Sequence, residues 1–530
     1  MKRREFLQYS SAATTAGVLL ARSDAVARSD GARPNIIFLM TDQQRWDALG
    51  VVNPHVKTPN LDRLAESGVR FNQAVCQAPL CVASRNSLMF GYYPSQLGVR
   101  TNEDGLRDED CLPSPPLPEI LRQAGYQTAG FGKTHWGHGK GNPAPSRRGF
   151  EYRAVPHGRG EFYEEGSLII TEDDPDGVNH YQKETRGYGP GEEGVKGYIG
   201  CTSQIPNREH RDGWIAEKCL GFLDSGVDPN RPLFLYLSFI KPHAGFNVPK
   251  EYEDLYDIET IPDIPQPPWE SEPNTHLGAI DESSDFLGDR YQEWREAWSK
   301  MTSMERRRTT LRYWANCSWL DGYMGQVLDR LKEMGRLENS IIVFLSDHGE
   351  MLGERHHRFS KYCLYDSSVR VPVILAGSAV AQDLRGTVDD RPVELVDIIP
   401  TLQGIAGLDP DPGLAGLDLL GDKKRVGTFS EFHGSGFEEE QPAPAYMWRT
   451  EDWKLILHLQ GHVGDALSRT ESTRGELYDL KNDPNEWNNL YDSQAHSQVR
   501  EAMKTELLMH LACVWNRGPN YSRMIEQKQT

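Results

Sequence analysis

The sequence predicts an α/β fold with a parallel sheet, and three observations carry that expectation. Unbroken apolar runs of strand length recur along the chain: NIIFLM at 35–40, PLFLYLSFI at 232–240, SIIVFLS at 340–346 and VPVILAG at 371–377. Such runs mark strands covered on both faces. Helical stretches lie between them: TPNLDRLAESG at 58–68, then LPEILRQAGYQTAGFGK at 117–133, which runs helix, glycine stop, strand, and a long one at about 304–334. Parallel strands need crossover helices of this kind. Finally, 530 residues exceed one ordinary core, so a large domain and a smaller one are expected.

The boundaries follow from shifts in pattern. Residues 1–27 read as a targeting segment, with Arg3 and Arg4 ahead of Phe6 and Leu7, an apolar stretch of small residues, and AVA at 25–27 as a cleavage site. The arginine pair resembles a twin-arginine export signal, which places the mature protein in the periplasm or outside the cell. Residues 34–424 form the large domain, and 425–530 a smaller α+β unit. The latter has shorter alternating strands (VGTFSEF, YMWRTEDWKLILHL, ELYDL) and a last helix at about 496–515. Segments 151–212 and 256–300 are rich in Gly, Pro and acidic residues without clear periodicity, and read as surface insertions.

Charge and cysteines narrow the function classes. With 58 basic and 77 acidic side chains the net charge is -19; losing residues 1–27 removes four bases and two acids and makes it -21. Such a surface disfavours nucleic acid, and an anionic substrate must be captured by local cations. No apolar stretch reaches the length of a membrane span. Eight cysteines without a CxxC pair are not a disulfide scaffold, though they leave room for one or two bridges.

In open α/β sheets ligands gather at the carboxyl ends of strands, so the polar residues there carry the functional expectation. Asp42 and Gln43 follow NIIFLM, and Asp347 and His348 follow SIIVFLS; together they offer donors for a hard divalent cation. In GFGKTHWG, Lys133 and His135 lie two apart, on one side of an extended strand end, as an anion anchor and a proton carrier. His243 follows Pro242 in FIKPHAGF, placed to protonate a leaving group, and Lys361 in HHRFSKYCLYD is a further anion clamp. CVASR at 81–85 puts Cys81 and Arg85 four apart, on one helical face, with the guanidinium beside the sulfur. Taken singly, each also fits an ordinary role: Cys81 a small buried hydrophobe, Asp42 a cap, His348 a satisfied core histidine, Lys361 a solvated charge.

Together, in the order TDQ, CVASR, GKTH, KPH, SDHG, these segments resemble the sulfatase family of the alkaline-phosphatase superfamily. The likeness runs from about Asn35 to the end, because ELVDIIPTLQGIAGL (394–408) and ELYDLKNDPNEWNNL (476–490) look like that family's closing helix and C-terminal subdomain. It implies a large mixed, mostly parallel sheet sandwiched by helices, with a smaller C-terminal α+β subdomain. It further implies that a maturing enzyme of the formylglycine-generating kind oxidises Cys81 to formylglycine (3-oxoalanine). One hydroxyl of the hydrate attacks a sulfate ester near Arg85 and a calcium ion, and the second, with His135 as base, expels sulfate as the aldehyde reforms. Asp42, Gln43, Asp347 and His348, with the position-81 oxygen, would hold Ca2+, with Mn2+ or Mg2+ as substitutes. Lys133, His243 and Lys361 would grip the sulfate, the last two also helping the alcohol leave.

Three positions depart from the family pattern: Ala83 where proline is usual, Phe90 where a small hydroxyl residue is frequent, and Gln43 where many members have a second aspartate. KPHAGFNVPKEYEDLYD (241–257) looks like the matching stretch of iduronate-2-sulfatase-type enzymes, which points to a glycosaminoglycan or other sulfated polysaccharide fragment as substrate. The alternatives are phosphonate or phosphate ester hydrolysis on the same scaffold, and a non-catalytic carbohydrate-binding protein in which Cys81 stays a thiol.

Overall fold

The run NIIFLMTD becomes the central strand β1 (Asn35–Asp42), buried along its whole length. The computed structural model describes residues 33–104, 115–136, 148–154, 199–270, 275–276, 286–436, 444–459 and 473–516; the expected targeting segment at 1–27 lies outside them. Seven further strands complete the main sheet: β2 (Gly68–Val75), β3 (Gln127–Gly132), β4 (Tyr152–Ala154), β5 (Leu233–Pro242), β6 (Ser340–Ser346), β7 (Val373–Gly377) and β8 (Thr387–Glu394). Their order is β4-β3-β5-β1-β6-β7-β2-β8. β1 pairs in parallel with β5 and β6, and β3 in parallel with β4 and β5, whereas β7 runs antiparallel to both its neighbours. The sheet is thus mixed and mostly parallel.

Alternate residues of β1 supply two cores. Ile36, Phe38 and Met40 enter one, against α2 (Cys81–Phe90), α3 (Leu117–Gln123) and α7 (Ile398–Ile405). Ile37 and Leu39 enter the other, against α1 (Pro59–Ser67), α4 (Arg211–Ser225) and α6 (Ser303–Glu333). Each such side chain contributes about 1.5–3 kcal/mol on leaving water, so a one-residue slip of β1 would exchange two complete core sets.

A second sheet, antiparallel and ordered β12-β11-β10-β9, comprises β9 (Thr428–Phe432), β10 (Ala445–Arg449), β11 (Trp453–Leu459) and β12 (Thr473–Asp479). Phe429, Trp448, Leu455 and Leu477 form its core with Met503 and Leu507 of α8 (Ser497–Asn516). The expectation of a patternless insertion at 256–300 is corrected by α5 (Phe286–Lys300), a fifteen-residue helix. Its Tyr291, Trp294 and Trp298 recur at helical spacing and are buried, but in sequence they are diluted among charged residues. The seven described cysteines are all free thiols, so they form none of the bridges for which the count left room.

What matters most for function is the order β3-β5-β1-β6. These four neighbours run parallel, so their carboxyl ends share one edge and deliver Lys133, His243, Asp42 and Asp347 to one place. Close approach of β3 and β5 demands a glycine at the end of β3. At Gly132, with φ +87°, a Cβ would stand 1.9 Å from the Ser238 carbonyl oxygen.

Candidate active site

Cys81 is the first residue of α2, which begins after extended Leu80 and ends at left-handed Gly91. All ten residues of this helix are buried, and its amino end turns the positive pole of the peptide dipoles toward position 81. No side chain caps it through Leu80; the Val82 N–H donates to Asn102 Oδ1 at 3.4 Å.

Around the Cys81 sulfur the fold gathers groups from four strand ends and a distant loop. Lys361 Nζ lies 3.0 Å from Sγ and His348 Nε2 3.2 Å, while Asp42 Oδ1 is 3.9 Å away. The His135 and His243 rings also stand in hydrogen-bonding contact with the thiol. Burial penalises the thiolate, yet the adjacent Lys133, Lys361 and His348 outweigh it and hold the thiol well below its ordinary value. A buried hydrophobe would show the opposite shift, as Cys219 does, pushed up by burial alone.

The charge of Arg85 does act on the Cys81 sulfur, but its hydrogen bonds all go elsewhere. Nε donates to Asp347 Oδ2 at 2.6 Å, Nη2 to Asp42 Oδ2 at 3.2 Å, and Nη1 to the Lys133 carbonyl and Ser238 Oγ at 3.0 and 2.9 Å. The i,i+4 spacing puts Arg85 and Cys81 on one helical face, and two acids from β1 and the end of β6 meet the guanidinium there. Lys133 adds an ion pair to the same Asp42 oxygen. Burial raises the Asp42 carboxyl, but Lys133, His243 and Arg85 over-compensate and leave it below the usual range.

Each aspartate therefore has one oxygen held by Arg85 and one turned inward. Asp347 Oδ1 accepts the N–H groups of Gln43 and His348, both at 3.0 Å, and lies 3.8 Å from His348 Nε2. The ligand atoms of Asp42, Cys81, Asp347 and His348 fall within 4.8 Å of one another, all buried. Gln43 joins this group with φ +68°, a left-handed conformation unusual outside glycine. Two carboxylate oxygens and one imidazole, with an amide oxygen alongside, fit a hard divalent cation.

The anion-side residues converge as well, though not by the geometry expected. β3 stops at Gly132 and His135 has φ +56°, so the two-residue spacing of Lys133 and His135 does not act through an extended strand. Lys361 is 2 % exposed, which rules out the solvated charge. Its Nζ donates to Gln43 Oε1 at 2.9 Å and meets His243 Nε2 at 3.1 Å. Burial lowers the His243 imidazole and Lys361 lowers it further, while the neighbouring anionic sulfur keeps Lys361 protonated against burial.

Sequence reasoning passed over three supporting residues. Ser84 Oγ donates to the Asp347 carbonyl at 2.6 Å, Tyr236 OH to the Lys133 carbonyl at 2.9 Å, and Glu350 accepts from Gln43 Nε2. Ser84 and Glu350 had a legible cue, their places in CVASR and SDHGE; Tyr236, inside an apolar strand, had none.

A family model described as sulfatase matches residues 34–408. A second, described as the N-sulphoglucosamine sulphohydrolase C-terminal region, matches residues 353–512. An arylsulfatase of Clostridium perfringens is 29% identical over 496 residues, spanning 90% of this chain and 94% of that protein. An N-acetylglucosamine-6-O-sulfatase of Bacteroides thetaiotaomicron is 24% identical, spanning 92% of this chain and 88% of its own length. Among solved structures, the phosphonate monoester hydrolase of Agrobacterium radiobacter shares the fold with a TM-score of 0.70 at 22% identity, covering 91% of this chain and 96% of the other.

Proposed function

The chain belongs to the sulfatase family and is a sulfuric ester hydrolase, and on that premise we propose that it removes sulfate from a sulfated carbohydrate, using a nucleophile made from Cys81 beside a divalent cation. One observation carries this: Cys81 is buried at a helix N-terminus with Lys133, Lys361, His348, His135 and His243 all turned toward it. Substrate class is supported by the carbohydrate-directed relative, the iduronate-2-sulfatase-like stretch at 241–257, and a strongly acidic chain that still gathers several cations around one buried position.

Asp42, Gln43, Asp347 and His348 would hold the cation, Ca2+ before Mn2+ or Mg2+. With position 81 as a formylglycine hydrate, the pair would supply an acidified hydroxyl as nucleophile and a second hydroxyl on the same carbon. The remaining work falls to the chain's own residues. Arg85 keeps Asp42 Oδ2 and Asp347 Oδ2 occupied, so that the Oδ1 atoms face inward. Lys133 and Lys361 bind the sulfate oxygens, each donor contributing about 3 kcal/mol to charge stabilisation in a closed site. His135, in contact with position 81, takes a proton from there. Lys361 Nζ, 3.1 Å from His243 Nε2, is placed with it to give the departing alcohol its proton. Export by the segment at 1–27 would place this activity in the periplasm or outside the cell, after Cys81 has been converted by a formylglycine-generating enzyme.

The test uses enzyme produced with and without such a maturing enzyme. Mass analysis of the peptide spanning Cys81 is expected to show formylglycine only in the first sample, and only that sample should turn over an aryl sulfate and defined sulfated saccharides. Equal activity of the unconverted or Cys81→Ala protein would overturn the mechanism. Faster cleavage of aryl phosphonates or phosphates than of the sulfate would overturn the substrate class.

A further inference from the structure

Glu350 is fully buried and takes no part in the chemistry above, yet three segments of the site end on its carboxylate. Oε1 accepts the N–H of Leu352 at 2.9 Å and the N–H of Ser360, and Oε2 accepts Gln43 Nε2. Leu352 and Ser360 belong to a loop, residues 352–362, in which five non-glycine residues, Leu352, Arg355, His356, Ser360 and Tyr362, have φ between +52° and +79°. Residues in this region persist only where their surroundings over-determine them. Lys361 lies in that stretch, between two such residues, and its Nζ returns to Gln43 Oε1. The contacts close a ring from Glu350 to Gln43 to Lys361 to Ser360 and back to Glu350.

The two ends of this ring settle the orientation of the Gln43 amide. A carboxylate only accepts hydrogen bonds and an ammonium only donates them. With Glu350 on one side and Lys361 on the other, Nε2 must face Glu350 and Oε1 must face Lys361, the side where Cys81 lies. An unconstrained glutamine could present either atom, and its NH2 group would repel a cation.

We propose that Glu350 is a positioning residue: it fixes the Gln43 oxygen toward the cation site and, through the same carboxylate, pins the strained loop that carries Lys361. The cation half rests on the metal reading of the preceding section. In this chain, where Gln43 is neutral, the negative charge stands one residue further from the cation and acts through the amide.

Glu350→Gln keeps the shape of the side chain but offers Gln43 a second NH2 group, so the Gln43 amide should turn over. Calorimetric titration of the full-length protein with Ca2+, Mn2+ and Mg2+ is expected to show a loss of affinity of at least about tenfold, the range seen when partners behind metal ligands are removed. The double variant Gln43→Glu/Glu350→Gln restores a donor facing an acceptor. It should regain affinity to within a few-fold of the wild type or exceed it, and recover kcat lost in the single variant more than KM. A Glu350→Gln protein that binds the cation as tightly as the wild type overturns the inference alone. A wild type that binds none of the three cations overturns the metal reading and this inference with it. Should the single variant fail to fold, recovery of both fold and affinity in the double variant supports the ring, and failure to recover overturns it.

Discussion

Lys361 and Asp366 belong to one loop, yet they anchor buried charge clusters of opposite design. At Asp366 every strong donor ends on an acceptor. Arg449 reaches both carboxylate oxygens at 3.0 Å, and Lys454 Nζ lies 2.6 Å from Asp366 and 2.5 Å from Glu486, donating also to the Leu364 carbonyl at 3.1 Å. This closed network fastens β10 and β11 to the loop; burial alone would raise the Asp366 carboxyl, but Arg449 and Lys454 outweigh it and hold it well below the usual range. Around Cys81 the charges are matched less completely: Lys361 Nζ meets the sulfur, Gln43 and His243 rather than a carboxylate, and Asp42 and Asp347 each turn an oxygen into the same space. A closed cluster holds the fold together, whereas an open one stores electrostatic potential for ligands that complete it.

The comparison breaks most clearly at its closed side. Lys454→Met leaves Asp366 and Glu486 without their shared ammonium, and loss of one partner of a buried pair costs about 3–5 kcal/mol. A fall of several degrees in melting temperature is expected, with kcat per folded molecule unchanged; an unaltered melt would show that the network contributes nothing. At the open side, Lys361→Met should lower kcat for an aryl sulfate by roughly 10²–10³-fold with a smaller fall in melting temperature than Lys454→Met, because its Nζ rests on Gln43 Oε1 and His243 Nε2 rather than bridging two carboxylates. Loss of fold without specific loss of turnover would place Lys361 with Lys454.

A smaller effect calibrates both clusters. Asp212, fully buried, accepts the Ile240 N–H at 2.6 Å, and burial pushes its carboxyl up to about 6 despite that bond and nearby Lys241. The native state thus holds a proton that the unfolded chain has released, so this group's contribution to stability falls as pH rises from its ordinary value near 3.8 to about 6. Across that window the stability of wild type should fall with pH more steeply than that of Asp212→Asn, by about 1–3 kcal/mol, as read from melting curves. An identical slope in the variant would assign the effect elsewhere.

How much was legible in sequence depended on whether the signal was local. β1, β5 and β6 announce themselves because each is an apolar run ending in a polar residue, and their parallel order makes the strand ends Asp42, His243 and Asp347 neighbours. α5 was missed because three aromatic residues must be read through a charged background before their spacing shows. The hydrogen bonds of Arg85 were illegible for a different reason. Helical spacing places two side chains on one face but carries no information on which acids from other strands meet them. The Asp366 network left no trace, since its members come from the loop, two strands of the second sheet and the turn before α8.

By itself, the sequence determined the alternation that makes the sheet, the strand ends that present chemistry, and the order of motifs by which the chain is identified. These depend on periods of two and 3.6 residues and on neighbours in the chain. Only the tertiary structure decided what each charge does: that Arg85 serves the carboxylates, that Lys361 is buried against Cys81, and that Glu350 orients Gln43. Electrostatic role is set by distance and burial in space, and residues 43, 81, 350 and 361 acquire both only when β1, α2 and the loop after β6 have packed together.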